Sequence, residues 1–363
     1  MTTRARVDKT FLAITIILAA AGFAIFSSAS LALLAKESSN YSSVAFSQTV
    51  LGLLLGTVVL VIASRLDYKI WKKFAFYLLI IAIILNILVL IPSIGLEHAG
   101  ARRWLSIGGF SLQPSEILKL AFIIYFAAWC SAVKDKVKTL RWGLVPFVII
   151  LGILGFLLLK QPDHDTLLVI SVTGMAMFIA AGGRWRHMLL LAIIGLFAIS
   201  FKIYTTPYAL ERVKTFLDPS ADSLDTGWQT QQSLIAVGSG GLFGRGFGQS
   251  VQKFTYLPEP VGDSIFAVAA EEFGFVGSIL LIAIFVLFGT RGLKIAASSP
   301  NTFARLTVVG IVIMIVSQAF VNIGAMLGVI PLSGITLPFV SQGGTSLFFT
   351  LLEAGIVLSI SRA

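Results

Sequence analysis

Long apolar runs separated by short polar ones constrain this chain more than any motif does. A helix needs about 20 mostly apolar residues to cross a bilayer. Ten runs meet that need, at about 10–34, 47–64, 75–95, 115–133, 143–160, 166–182, 189–206, 265–290, 304–328 and 344–361. Charge content agrees: 12% of the 363 residues are charged and 57% are hydrophobic, against roughly 25% charged in a soluble protein. So few charges cannot cover a water-facing surface of this size. The expectation is an all-α polytopic membrane protein, a single membrane domain over 1–363. Disorder, collagen and disulfide scaffolds are excluded, and the one cysteine, Cys130, has no partner within the chain. The first run is too long for a signal-peptide core and lacks a clear cleavage site, so it reads as a retained helix.

Basic residues set the orientation. Arg4, Arg6 and Lys9 precede the first run. Arg65, Lys69, Lys72 and Lys73 follow the second, and Lys134, Lys136, Lys138 and Arg141 follow the fourth. Arg184 and Arg186 follow the sixth. Arg291, Lys294 and Arg305 separate the eighth and ninth, and Arg362 closes the chain. These are 17 of the 27 Lys and Arg, and all fall on one side if the ten runs alternate. The positive-inside rule makes that side cytoplasmic, with both termini inside. The net charge of +10 is therefore read as topology rather than as a nucleic-acid surface. Of the 17 acids, only Asp8, Asp67 and Asp135 share that side. Topology demands no such bias, so a polar site on the outer face is expected.

The longest outer segment is about 207–264, and connections of that length are usually functional or disordered. The others are about 96–114, the short Gln161–Asp165 and the Gly/Pro-rich 329–343. The fourth run opens with Gln113-Pro114-Ser115-Glu116 and reaches Lys119. Glu116 and Lys119 are three apart and share a helix face. A charge pair in the membrane layer is either functional or a neutralised brace, and the two roles are compatible. Asp263 stands at the entrance of the eighth run, where helix capping alone would account for it. Capping does not account for Glu271 and Glu272, two turns further into an apolar helix. The glycine-rich run Gly238–Gly248, with Arg245, matches no nucleotide-binding loop. It reads as a tightly packed outer loop, or as a backbone cradle for an anion. Asp163-His164-Asp165 is a short Asp-x-Asp. Its metal reading is disfavoured, because nucleotide sugars are scarce outside the cell. His98, His164 and His187 are scattered, and with one Cys they argue no zinc site.

These segments together, Ala101-Arg102-Arg103-Trp104, Gln113–Glu116, Gln161-Pro162-Asp163, Gly238–Gly248, Gly262–Ala267 with Glu271-Glu272, and Leu337–Ser341 with Gly343-Gly344, resemble the SEDS proteins (shape, elongation, division and sporulation; the FtsW/RodA family). The resemblance runs in order along nearly the whole chain. Within the family, Gly100–Trp104 and Pro260–Ser264 are more similar to the division branch than to the elongation branch. The resemblance implies a ten-helix peptidoglycan glycosyltransferase of the bacterial cytoplasmic membrane, at the division septum. Such an enzyme polymerises lipid II at the outer face and works with a class B penicillin-binding protein and division proteins. The acid matching Asp263 is then the essential catalytic residue. Glu116, Lys119 and Asp163 are functionally important. Three positions depart from the family pattern: Asp165 where Gly is usual, Gln342 where Tyr is usual, and Ser333 where division members commonly carry Lys.

The chemistry fits the residues. Attack of a sugar hydroxyl on a lipid-linked donor needs a general base, which an outer-face carboxylate can supply. Asp263 is the expected base, supported by Glu116, Lys119, Asp163, Glu271 and Glu272. The leaving pyrophosphate needs cationic stabilisation, expected from Arg102, Arg103, Lys119, Arg245 or a divalent ion such as Mg2+ or Mn2+. Gln113 and Ser341 join the expected substrate site. No protein metal ligands are assigned. The alternatives are a lipid II flippase, an elongation-type polymerase, or a non-catalytic scaffold. A flippase needs a polar path open to both faces, whereas the suspect residues gather outside. Small residues in the eighth and ninth runs (Ala267, Ala269, Ala270, Gly274, Gly277, Gly310, Gly324) mark the expected docking surface for the partner's membrane helix.

Overall fold

The structure, a computed structural model, describes residues 7–35, 41–98, 101–107, 110–205, 216 and 226–363. Most of the first part of the expected long loop, 207–225, lies outside them. The helices are α1 (Lys9–Ala35), α2 (Tyr41–Arg65), α3 (Lys69–Val89), α4 (Pro114–Val133), α5 (Val145–Lys160), α6 (His164–Ala180) and α7 (Trp185–Thr205). They continue with α8 (Thr226–Ser239), the single turn α9 (Gln252–Thr255), α10 (Ile265–Ala297), α11 (Thr302–Met326) and α12 (Gly344–Ile360). Among the described residues, α1 to α3, the stretches Pro114–Lys138 and Leu140–Lys160 that contain α4 and α5, and α10 and α11 are long and apolar enough to cross a membrane. α6, α12 and the Trp185–Gly195 part of α7 are apolar but shorter.

The molecule is not purely helical. Between α3 and α4 the chain folds into β1 (Gly95–His98), β2 (Ala101–Ile107) and β3 (Phe110–Leu112), an antiparallel sheet in that order. Leu96 faces Trp104 and Leu105 faces Leu112. The sequence carried the signal in the dipeptide Gly108-Gly109, a type favoured in two-residue hairpin turns, set between β-forming runs. It was hidden by the stronger helical pattern on both sides.

α11 is the central helix, packed on α4, α6 and α10; α12 packs on α2, and α1 on α10. Lipid is as apolar as leucine, so these contacts rest on close van der Waals fit rather than on apolar burial. Gly310 of α11 is one such fit: a Cβ there would press on Ile123 of α4 and Met177 of α6. This corrects the expected partner surface. Ala267, Ala269, Ala270, Gly274 and Gly310 are buried inside the chain. The face that α10 exposes carries Phe275, Val276, Ile279 and Leu280 instead.

α10 is broken at Gly274 (φ 67, ψ −164), and the glycine-rich run is what repairs the break. Helix interruption orphans backbone groups, which are costly in an apolar layer. Here Arg245 N and Gly246 N donate to Glu271 O and Glu272 O, both at 3.0 Å. Phe275 N and Val276 N donate to Gly241 O (2.9 Å) and Leu242 O (3.1 Å). A Cβ on Gly274 would collide with Gly244 N and Leu242 O, so glycine is required on steric as well as φ grounds.

The basic turns meet at one end of the bundle. Arg291 pairs with Asp8 at 2.7 Å, Asn301 Nδ2 donates to the Tyr68 hydroxyl at 2.7 Å, and Arg305 donates to Ala180 O at 3.3 Å. Arg362 donates to Ser64 O at 3.1 Å. The small sheet, the starts of α4, α6 and α10, and the 331–343 loop share the opposite end.

Candidate active site

Asp263 sits in the turn that leads into α10, held by its backbone rather than by its carboxylate. Three successive carbonyls each accept from a different outside donor. Gln342 N donates to Val261 O at 2.7 Å, Ser341 Oγ to Gly262 O at 2.8 Å, and Asn322 Nδ2 to Asp263 O at 2.8 Å. The cap position of α10 is Ser264, which makes no side-chain cap bond, so capping is not the role of Asp263. The turn is further tied to α8, where Gln229 Nε2 donates to Ser264 Oγ at 3.0 Å.

The half-buried Asp263 carboxyl is pushed up to about 7. Burial is the largest cause, followed by the negative charges of Glu259 and Asp165; the Arg103 guanidinium opposes them. Arg103 reaches this corner from β2. Its guanidinium donates to the carbonyls of Gln161 (3.2 Å) and Pro162. The α5–α6 junction it grips is fixed in turn by Gln161 Nε2 donating to Asn86 O at 2.9 Å. Asp163 is the N-cap of α6, accepting from Thr166 N at 3.3 Å. Its buried Oδ2 has no hydrogen-bond partner among the described residues. Asp165, in the first turn of α6, accepts from Gly334 N at 3.0 Å.

The intramembrane pair is real and buried. Lys119 Nζ donates to Glu116 Oε1 and to Gln318 Oε1, each at 2.9 Å. Gln318 Nε2 donates to Thr336 O at 3.0 Å, and Asn322 Nδ2 to Ile335 O at 2.7 Å. The ion pair thus braces the same loop that touches the Asp263 turn. Buried Gln48, in the π-helical stretch Ser47–Leu55 of α2, holds the loop's far end. It accepts from Gly343 N at 2.9 Å and donates to Ser341 O at 3.3 Å.

The site gathers Asp263, Arg103, Asp163 and Asp165, with Glu116 and Lys119 one layer below. It does not gather everything the sequence grouped. Glu271 and Glu272 belong to a separate network that seats the glycine-rich run. Glu271 accepts from Ser250 Oγ (2.6 Å), Val251 N (3.1 Å) and Gln252 N (3.2 Å), and Arg245 lies 3.4 Å from it. Glu272 pairs with the fully buried Lys253 at 2.6 Å and accepts from Ser28 of α1 at 2.6 Å. Arg245 is thus taken up by an acid outside the site. Ser341 spends its hydroxyl on the loop, accepting from Leu337 N and donating to Gly262 O, both at 2.8 Å. Gln113 is the N-cap of α4 and makes no side-chain cap bond; Arg102 lies on β2 in register with Glu97. Among the described residues, no group of three or more His, Cys, Asp or Glu is placed to hold a metal ion. Sequence reading missed Asn322 and Gln318. Their signal was present: two amides four residues apart, on one face of an otherwise apolar helix.

Fold and site together define a multi-pass membrane protein with a carboxylate–arginine site at one end of its bundle. Residues 8–363 match the family model described as cell cycle protein, FtsW/RodA/SpoVE. The chain belongs to that family. It is 41% identical over 308 residues to stage V sporulation protein E of Bacillus subtilis, covering 85% of this chain and 84% of that one. It is 40% identical over 308 residues to the probable peptidoglycan glycosyltransferase FtsW of Trichlorobacter lovleyi, covering 85% and 81%. Its fold is similar to a chain in a solved structure described as a peptidoglycan synthase complex that coordinates polymerisation and crosslinking. There the TM-score is 0.79 and the identity 29%, over 98% of each chain.

Proposed function

We propose that this chain is a division-type peptidoglycan glycosyltransferase that polymerises lipid II, with Asp263 as general base. The observation that carries the assignment is Asp263 itself. The backbone of its turn is pinned by the 331–343 loop and α11, while its carboxyl, raised to about 7, faces Arg103. A base poised near the working pH combines availability with proton affinity. In the reaction an acceptor sugar hydroxyl attacks the anomeric carbon of a lipid-linked disaccharide. Asp263 takes the hydroxyl proton as the new C–O bond forms. The bond to pyrophosphate breaks, and undecaprenyl pyrophosphate leaves with inversion at the anomeric carbon. Arg103 and Arg102 are assigned to the pyrophosphate charge. Lys119 and Arg245 are left to the acids they already face. A divalent cation, Mg2+ or Mn2+, arriving with the pyrophosphate would share that task, without a built protein cage.

The same reading takes the chain as one domain of ten spans, with α6, α7 and α12 completing the seven longer helices. Both termini are cytoplasmic, and the sheet end, with the long loop of about 207–264, faces outward across the bacterial inner membrane. The prenyl tail is assigned to the apolar, lipid-facing groove of about 400 Å³ between α3 and α5, lined by Ile83, Ile87, Val148, Ile149 and Ile153. Cross-linking of the product falls to a class B penicillin-binding protein at the septum. The test is purified protein in detergent with lipid II, with and without that partner, scored for glycan polymer. Polymer made by the wild type and lost in Asp263→Asn is expected. Lipid II crossing a vesicle bilayer with no polymer formed would instead favour a flippase.

A further inference from the structure

Asp165 stands where the family pattern has glycine, and the structure puts its carboxylate in the site. Its Oδ2 accepts from Gly334 N at 3.0 Å. The Asp263 carboxylate stands beside the same glycine. A Cβ on Gly334 would sit 3.5 Å from Asp263 Oδ2 and 3.9 Å from Asp165 Oδ2. The two carboxylates therefore stand beside one residue that has no side chain to separate them.

We propose that Asp165 is a positioning residue for glycosyl transfer, clamping the Gly334 backbone while it turns its negative charge toward the Asp263 carboxylate. The inference rests on the polymerase reading above. Asp263 is faced by Glu259 from its own turn, Asp165 from α6 and Arg103 from β2. α11 contributes the neutral Asn322, and the 331–343 loop has no titratable side chain. Two acids against one arginine keep the proton on Asp263 to a higher pH than burial alone would. Removing one acid leaves an even balance. Asp263 then ionises at lower pH and becomes a weaker base.

The experiment measures kcat and KM for lipid II across the neutral range for wild type, Asp165→Asn and Asp165→Gly. Asparagine keeps an acceptor for Gly334 N and loses the charge. Glycine is the residue the family pattern carries, so that backbone is expected to fold. The wild-type acidic limb of kcat is expected near pH 7. In both variants it should move toward acid by about one unit, with KM little changed. The glycine variant should also lose thermal stability, because the Gly334 clamp is gone. A purely structural role predicts a wild-type limb in Asp165→Asn. Either variant, folded and active with its limb where the wild type has it, overturns the proposal while leaving the polymerase reading intact. A wild-type protein that makes no polymer with its partner present overturns both.

Discussion

Asp263 draws its chemistry from its neighbours rather than from its own helix. Burial and two acids raise its carboxyl to about 7, with Arg103 as the opposing charge. As a base it works ionised, so polymerisation should rise with pH through about 7, the value raised in this way. Asp263→Asn removes the base and should lower turnover by about 10²–10⁴ with lipid II binding retained. A folded Asn variant with near wild-type turnover would sink the assignment. The same shift has a stability consequence of opposite sign. A carboxyl with a raised folded-state pKa stabilises the fold below its unfolded value, near 4, and loses that contribution as pH rises through the folded value. Thermal melts should therefore show the Asn variant gaining on wild type at pH 8 relative to pH 5, as order-of-magnitude conditions on either side of the shift.

At the scale of elements, two buried networks do different work. Glu116–Lys119 links α4 through Gln318 of α11 to Thr336 in the loop beside the Asp263 turn. Removing either charge strands the other where water cannot reach it, at a cost of about 3–5 kcal/mol. Glu116→Ala and Lys119→Ala should each lower melting temperature and activity, and the double variant should be milder than their sum. Strict additivity in that cycle would argue against a direct pair. The second network, Glu272 with Lys253 and Ser28, locks the glycine-rich run into the α10 break. Gly274→Ala combines an unfavourable φ with a backbone collision, so it should destabilise by more than the about 1–3 kcal/mol of backbone strain alone. A melt unchanged from wild type would show that the break is not held as described.

At the scale of the molecule, orientation is the testable claim. With Cys130 replaced, single cysteines at the exposed positions Gln249 and Lys136 separate the two ends. An impermeant thiol reagent on spheroplasts should label position 249 and spare position 136. The reverse result would put Asp263 in the cytoplasm, away from lipid II on the outer face. Much of this architecture was legible in the chain itself. Apolar run length and the placement of Lys and Arg are one-dimensional quantities, because the bilayer is a slab that each helix meets separately. Asp263, Arg103, Asp163 and the Glu116–Lys119 pair were also named from the chain, the pair because an apolar layer penalises charge that is not used and the others with the help of the family resemblance. What the chain could not disclose is which polar groups answer one another across distant segments. Glu271, Glu272 and Arg245 lie close to Asp263 in sequence, yet they serve the splint at Gly274. Gln318, Asn322 and Asp165 lie far from it, yet they converge on the loop at its side. Hydrogen bonds act over about 3 Å, so their partners are chosen by helix packing and loop return, not by spacing along the chain. The sequence determined a membrane bundle with acidic residues gathered toward one face; only the tertiary structure decided which of those acids are taken up by buried partners and which carboxyl is left beside Arg103 and Asp165.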